Sequence, residues 1–157
     1  MFQAAWVGVF AFLADRITKQ LTVEWMELGA SKTLWAGVLD LTHTRNTGMA
    51  FSILAGHTWL LIMLSLLSLV VLVTALYRAL PRTQAYNALL WLLLAGGIGN
   101  LADRLLFGYV VDFISVQFVR FPVFNVADIC LTVSAALLIV ALLFNPDGKK
   151  KNEQPAA

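Results

Sequence analysis

The sequence contains few charged residues for its length. Only 13% of its 157 residues are Asp, Glu, Lys or Arg, whereas 60% are hydrophobic. A soluble domain is charged at about 25% of its positions and apolar at about 45–50%. The composition therefore excludes an ordinary soluble domain and predicts a membrane protein whose length suits one compact domain.

Residues that build covalent or metal frameworks are nearly absent. A single cysteine, Cys130, excludes an internal disulfide framework and a cysteine-rich metal site. The two histidines, His43 and His57, lack the spacing of metal ligands, which argues against a zinc site. No Gly-x-Ser-x-Gly motif supports a serine nucleophile. The net charge of +2, without a basic stripe, does not indicate nucleic-acid binding.

Long apolar runs dominate what is present. Residues 58–77 carry no charge and match the roughly 20 residues that cross a bilayer. The first run is interpreted as a helix rather than a cleaved signal peptide, because it has no basic start and continues directly into Asp15 and Arg16. We predict an all-α integral membrane protein, one domain of residues 1–144, with four transmembrane helices near residues 2–21, 58–77, 86–106 and 127–144.

The segments between the spans predict an orientation and a small β-like element. The polar tail, residues 145–157, and the short loop 78–85 carry basic residues with little acidic company. Both termini are therefore expected in the cytoplasm, although the number of basic residues alone does not decide the orientation. Residues 39–45 alternate between apolar and polar and are rich in β-formers, which predicts a strand or hairpin within the first outer loop, residues 22–57.

Two aspartates lie at the predicted ends of neighbouring spans. Asp112 follows the third span and Asp128 opens the fourth, so a short connection brings both to the same membrane face. Carboxylates at membrane depth are costly, which makes a function for them the expectation. Two close carboxylates tend to share one proton, which suits general acid–base catalysis with a water molecule. The alternative is that each aspartate caps a helix or pairs with an arginine.

Further polar residues flank the two aspartates. Asn100, Asp103 and Arg104 have the spacing to share one face near the end of the third span. Asn125 precedes Asp128 by three positions and can share its helical turn. This pattern predicts either a polar shell that orients the aspartates or ordinary hydrogen bonds at helix ends, and both can hold together.

Two motifs lie earlier in the chain. Asp15 and Lys19 have a favourable ion-pair spacing, which predicts a structural link between the first helix and the bundle. Asn46 and Gly48 belong to the segment that joins the β-like loop to the second span. Gly48 permits backbone conformations that other residues resist, and Asn46 can hydrogen-bond a peptide substrate. The alternative for this segment is an ordinary turn.

Taken together, the motifs resemble those of the lipoprotein signal peptidases, or signal peptidase II, which are bacterial integral membrane aspartic peptidases. The resemblance covers nearly the whole chain and rests on five motifs in the family's order. They are Asp15-x-x-x-Lys19, Asn46-x-Gly48-x-Ala50-Phe51, Asn100-Leu101-Ala102-Asp103-Arg104, Gly108-Tyr109-Val110-Val111-Asp112-Phe113 and Phe124-Asn125-Val126-Ala127-Asp128.

The resemblance implies an activity and a set of roles. Such enzymes act in the bacterial cytoplasmic (inner) membrane and cleave a prolipoprotein signal peptide just before a cysteine that carries a diacylglyceryl group. By position, Asp112 and Asp128 match the family's catalytic pair, near the outer face of the membrane. The surrounding polar residues of the family are matched by Asn46, Asn100, Arg104 and Asn125. No metal or organic cofactor is implied, and the inhibitor globomycin is expected at the same site.

The expected partners are the lipid-modified prolipoprotein and membrane lipid, and a monomer is the default because no packing stripe between protomers is visible. The loop 22–57 is expected to cover the substrate. Two non-enzymatic alternatives remain: a small ion or proton transporter, and a structural helper whose polar groups only fix helix packing. The grouping of acidic residues at one membrane face, rather than through the bilayer middle, favours the enzyme.

Overall fold

The computed structural model describes residues 2–49, 53–80 and 83–144. Within these residues the chain forms four helices and one three-stranded sheet. The helices are α1 (Phe2–Trp25), α2 (Thr58–Ala79), α3 (Gln84–Phe107) and α4 (Val126–Phe144). The strands are β1 (Ser31–Trp35), β2 (Leu39–Asn46) and β3 (Val110–Val116). Ala50 and Phe51 of the Asn46 motif, and the tail predicted for residues 145–157, lie outside the described residues.

Among the described residues, three helices, α2, α3 and α4, have the length and the apolar composition needed to cross a membrane. α1 is as long as α3, at 24 residues, but it carries Asp15, Arg16 and Lys19. These charges lower its hydropathy, so the fourth span expected at residues 2–21 stays a prediction. The helix itself continues beyond that range to Trp25.

α3 is the central helix of the bundle and packs against α1, α2 and α4. Two of its glycines permit close contact on two sides. A Cβ atom at Gly96 would lie 2.4 Å from the carbonyl oxygen of Ala127 in α4, and one at Gly99 would lie 2.7 Å from Oδ2 of Asp15 in α1. Such small residues are typical of helix contacts within membranes. Lipid tails are as apolar as the helices, so the hydrophobic effect does not drive the helices together and close backbone packing does so instead.

The apolar core lies towards one end of the bundle. Five buried leucines pack the end of α2, the first half of α3 and the second half of α4 together: Leu76, Leu80, Leu90, Leu93 and Leu138. The opposite end, where α3 ends and α4 begins, is held by buried polar side chains instead. The helix ends at that side are therefore positioned by hydrogen bonds and charge.

A three-stranded antiparallel sheet, in the order β1-β2-β3, extends from the polar end of the bundle. The strand or hairpin predicted within residues 22–57 is present as β1 and β2. The third strand was not predicted, because it comes from residues 110–116, between α3 and α4. That segment reads Val-Val-Asp-Phe-Ile-Ser-Val, which favours a strand, and it covers the edge that β2 would otherwise expose. Asp112 consequently lies on a strand, opposite Thr44 of β2.

We expect Gly96→Ala to reduce stability, because its new methyl group would press on the backbone of α4. Overpacking of this kind costs about 1–3 kcal/mol and exceeds the roughly 1 kcal/mol that alanine gains over glycine in a helix. Thermal melting of the purified protein in detergent measures the effect. Gly97→Ala is the matched control, since its methyl group meets the flexible end of the Leu69 side chain. A Gly96→Ala protein as stable as the Gly97→Ala protein would contradict this account of the α3–α4 contact.

Candidate active site

Asp112 and Asp128 line the same cavity, of about 450 Å³, between the sheet and the polar ends of α3 and α4. We call it the central cavity. Asn46, Asn100 and Arg104 also line it, whereas most of its remaining wall is apolar. Asp112 is 2% exposed, and Asp128 is half-buried. The structure therefore brings together five of the residues that the sequence analysis placed in a functional site.

Both carboxylate oxygens of Asp112 accept hydrogen bonds from asparagine side chains. Nδ2 of Asn46 donates to Oδ2 at 2.9 Å, and Nδ2 of Asn125 donates to Oδ1 at 2.6 Å. The main-chain oxygen of Asp112 accepts a further bond from Oγ1 of Thr44 at 3.1 Å. Asn46 at the end of β2 and Asn125 just before α4 thus hold this carboxylate from two sides.

Asp128 lies in the first turn of α4 and has two roles there. Nδ2 of Asn100 donates to its Oδ1 at 2.7 Å. Its Oδ2 accepts from the main-chain N–H of Asn125 at 3.1 Å, while its own N–H donates to Oδ1 of Asn125 at 2.9 Å. This reciprocal pair is the capping box of a helix start. Asp128 therefore does cap a helix, as the structural alternative predicted. It also lines the central cavity, so capping is not its only contact.

The three asparagines have fixed orientations. Oδ1 of Asn46 accepts from the main-chain N–H of Gly48 at 2.9 Å, and Oδ1 of Asn125 accepts from the N–H of Asp128. Oδ1 of Asn100 accepts from Nζ of Lys19 at 3.0 Å. Backbone N–H groups and ammonium groups donate only, so each asparagine must turn its oxygen towards them. Each NH₂ group is then directed at a carboxylate of the central cavity.

Lys19 lies at the centre of a buried ion cluster. Its Nζ is 2.9 Å from Oδ2 of Asp15 and 2.9 Å from Oδ2 of Asp103. The pair predicted between Asp15 and Lys19 is therefore present. Arg16 pairs with the other oxygen of Asp103. Asp103 does not line the central cavity, in contrast to Asn100 and Arg104, with which it was expected to share a face.

Asp15 also connects α1 to the start of α4. Its Oδ1 accepts a hydrogen bond of 2.9 Å from the main-chain N–H of Ala127. The N–H groups in the first turn of a helix have no partner within the helix, so a carboxylate from a neighbouring helix satisfies one of them and interacts favourably with the helix dipole. The predicted link between the first helix and the bundle thus ends at the turn that carries Asp128.

Arg104 joins α3 to the segment that follows β2. Its Nη2 donates to the main-chain oxygen of Gly48 at 2.9 Å. Gly48 itself lies outside the cavity lining and acts through its backbone, with its N–H on Asn46 and its oxygen on Arg104. Nε of Arg104 is buried and has no hydrogen-bond partner among the residues that the structure describes.

Burial is the main influence on the acidity of Asp112. It raises the pKa of this carboxyl from 3.8 to about 6, because the charged form loses water. The hydrogen bonds from Asn46 and Asn125 act in the opposite direction, whereas the negative charge of Asp128 adds to the rise in the pKa. Asp112 therefore exchanges its proton near neutral pH, where a general acid or base is most effective.

Several contributors were not singled out from the sequence. Arg16, the second partner of Asp103, was counted only as a basic residue of the first helix end. Phe121, Pro122 and Val123 form one wall of the central cavity, because Phe124 bridges to Ile114 of β3 and holds this segment against the sheet. The sequence signal for this segment is weak, since it only precedes the motif that ends at Asp128. Within residues 2–49, 53–80 and 83–144, no three His, Cys, Asp or Glu residues cluster as metal ligands would.

Comparison with known proteins identifies the family. The family model for signal peptidase (SPase) II matches residues 7–144. The chain belongs to the signal peptidase II family. The resemblance drawn from the five sequence motifs is thereby confirmed, and the chain is a membrane protease by family.

Relatives and solved structures agree with the assignment. The lipoprotein signal peptidase of Lactiplantibacillus plantarum is 37% identical over 142 residues, which cover 88% of this chain and 95% of the relative. That of Bacillus velezensis is 38% identical over 149 residues, covering 94% and 97%. A bacterial membrane enzyme solved by the in meso method at 2.3 Å matches with a TM-score of 0.85 and 31% identity, over 100% of this chain and 96% of that one. A second, at 1.9 Å, matches with a TM-score of 0.80 and 33% identity, over 91% and 94%.

The raised pKa of Asp112 predicts a pH-dependent stability in this signal peptidase. Between pH 3.8 and about 6 the folded chain binds more protons at this carboxyl than the unfolded chain, so this contribution to stability falls as the pH rises through that window. Asp112→Asn removes the titration. We expect the melting temperature of the variant, relative to the parent, to increase from pH 4 to pH 6.

Melting curves of both proteins in one detergent across this pH range measure the difference. Glu27→Gln, at an exposed position, controls for the loss of one negative charge. A difference between parent and Asp112→Asn that stays constant across the window would show that burial does not raise this pKa.

Proposed function

We propose that this protein is a membrane aspartic endopeptidase that removes the signal peptide from diacylglyceryl-modified bacterial prolipoproteins, cleaving before the lipidated cysteine. The observation that carries the proposal is the shared cavity of Asp112 and Asp128, in a chain of the signal peptidase II family. Asn125 contacts both carboxylates, which makes them members of one hydrogen-bonded unit.

The two carboxylates divide the chemistry of peptide hydrolysis. One of them is ionised and takes a proton from the attacking water, while the other is protonated and donates to the oxygen of the scissile carbonyl. The resulting diol collapses when the carbon–nitrogen bond breaks. The carboxyl that took the proton from water gives it to the leaving nitrogen, and the other carboxylate takes a proton from a hydroxyl group of the diol. Because such a pair titrates as a unit, the proton is assigned to the pair rather than to Asp112 or Asp128 alone.

Arg104 is suited to hold the substrate backbone. It lines the central cavity, and its Nη2 is fixed by the main-chain oxygen of Gly48. An arginine carries five N–H donors, so the guanidinium can also donate to a carbonyl oxygen of a peptide bound in the cavity that it lines. Asn46 and Asn100 keep the carboxylates in place for that peptide.

The signal helix of the substrate approaches from between the helices. A second cavity of about 310 Å³, which we call the helix-side cavity, runs along α2, α3 and α4 and shares Asn100, Arg104 and Asp128 with the central cavity. Its remaining lining is mostly apolar and comes from membrane-spanning helices: Leu64, Ser65, Ser68, Leu69, Leu72, Gly97 and Leu131, beside Met49. An apolar peptide helix and a lipid chain therefore find an apolar surface that leads directly to Asp128.

The membrane placement that we propose has four spans, with α1 as the fourth. Its Asp15 and Lys19 are buried and paired, which lowers the cost of carrying them near the membrane. Residues 1–144 then form one membrane domain in the cytoplasmic (inner) membrane, both termini are cytoplasmic, and the catalytic pair lies near the outer face. The hairpin of β1 and β2 supplies Asn46 and covers the substrate.

We expect Asp112→Asn and Asp128→Asn each to lower kcat by at least about 10²–10⁴-fold, the usual contribution of a general acid or base. The measurement is cleavage of a diacylglyceryl-modified peptide by the purified protein in detergent, with folding checked by thermal melting. Asp40→Asn, on β2 and outside the central cavity, is the matched control and should cleave like the parent. Turnover by either folded cavity variant at the parental rate would remove that aspartate from the catalytic pair.

Lys19 and Arg16 allow a sharper test of the polar network. Both pair with Asp103, but only Lys19 contacts Asn100. Lys19→Met leaves the oxygen of Asn100 with only the 3.1 Å bond from Nδ2 of Asn125, so Asn100 holds Asp128 less firmly. We expect kcat to fall by up to about 10²-fold, as for other small misplacements of catalytic groups. Arg16→Met removes the same charge and should lower mainly the melting temperature. Equal losses of kcat in the two folded variants would show that the contact between Lys19 and Asn100 does not position Asp128, and parental kcat in both would show that the cluster acts only through stability.

A further inference from the structure

The central cavity continues on its far side into a third cavity that the proposed chemistry does not use. This sheet-side cavity has a volume of about 600 Å³ and is bounded by the end of β2 and by residues 120–123. It shares Asn46 and Asp112 with the central cavity, but it does not reach Asp128. The helix-side cavity shows the converse, since it reaches Asp128 and not Asp112.

The three cavities therefore form a path with a direction. It begins among apolar side chains of α2, α3 and α4, passes Asp128 and then Asp112, and ends beside the sheet. On the proposed function, the signal helix occupies the helix side and the scissile bond lies between the carboxylates. The residues that follow the lipidated cysteine must then leave through the sheet-side cavity.

Two arginines distinguish the sheet-side cavity from the other two. Arg45 and Arg120 both line it, and both are exposed. The Arg45 guanidinium lies 4.8 Å above the ring of Tyr109, which holds it in place. Neither arginine forms an ion pair within the part of the chain that the structure describes. Asp112 is the one carboxylate among the described residues that line this cavity, so their charges sum to a net positive value.

We propose that the sheet-side cavity binds the first residues of the mature lipoprotein and that Arg45 and Arg120 select for an acidic side chain among them. The inference rests on the proposed function. It adds a preference for particular residues after the lipidated cysteine, on the C-terminal side of the scissile bond. A peptide carboxylate would be attracted to the two arginines, and its entry would be opposed only by Asp112. Guanidinium groups bind carboxylates through two parallel hydrogen bonds, which adds geometric selectivity.

The test compares two diacylglyceryl-modified peptides that differ only in Asp or Asn two residues after the cysteine. Cleavage of both is measured with the parent, with Arg45→Gln, with Arg120→Gln and with the double variant, all in a neutral detergent. We expect the parent to have the higher kcat/KM for the Asp peptide, mainly through a lower KM. Each substitution should reduce the ratio of the two kcat/KM values by about two- to fivefold, the usual range for exposed ion pairs. High salt should reduce the parental ratio in the same way.

Arg78→Gln is the matched control. It removes one arginine charge from an exposed position in the last turn of α2 that lines none of the three cavities, so the parental ratio should persist. A parental ratio of one, or a loss of activity in the arginine variants that is equal for both peptides, would overturn the inference while leaving the peptidase intact. Arginine effects that emerge only with added anionic lipid would assign the cavity to a lipid headgroup instead. Failure of the folded parent to cleave either peptide would overturn the proposed function and this inference with it.

Discussion

Lys19 of α1 has only 1% of its surface exposed. An unpaired ammonium group there would cost several kcal/mol, so its position is tolerable only between Asp15 and Asp103, each 2.9 Å away. Asp15 lies on α1 and Asp103 on α3, so the shared contact with Lys19 fixes the position of α1 along the axis of α3. Asp15 extends the same constraint to α4 through the N–H of Ala127. The helix ends that carry the site are positioned by this one cation.

From Lys19 the constraint passes through amide side chains to the proposed catalytic pair. The ammonium group fixes the oxygen of Asn100, whose NH₂ group then donates to Asp128. Asn125 reaches Asp112 in the same way, with its oxygen held by the start of α4. All four carboxylate oxygens of the pair therefore accept hydrogen bonds, which favour the ionised form and offset part of the cost of burial. This balance explains why burial raises the pKa of Asp112 only to about 6.

Local rules predicted the parts of this arrangement that lie within one helix or one motif. Apolar runs located α2, α3 and α4, and the spacing of Asp15 and Lys19 predicted their ion pair. β3 was missed because strand pairing depends on β2, far away in sequence. Asp103 was expected beside Arg104, but adjacent helical residues point about 100° apart. Asn100 points in a direction between those of Asp103 and Arg104, so it contacts Lys19 on one side and lines the central cavity on the other. Only the position of α1 shows that Asp103 faces the ion cluster and Arg104 faces the cavity.

The position of the two aspartates on different layers follows from the same packing. Asp112 belongs to a strand and Asp128 to a helix, so the central cavity lies where the sheet meets the bundle. On the proposed function, a peptide that passes from the helix-side cavity to the sheet-side cavity leaves a surface formed by the helices and enters one that carries Arg45 and Arg120. On the same proposal, the bond to be cleaved crosses this boundary between bundle and sheet. One carboxylate from each layer then reaches it, so that an acid and a base can act on the same bond from two sides.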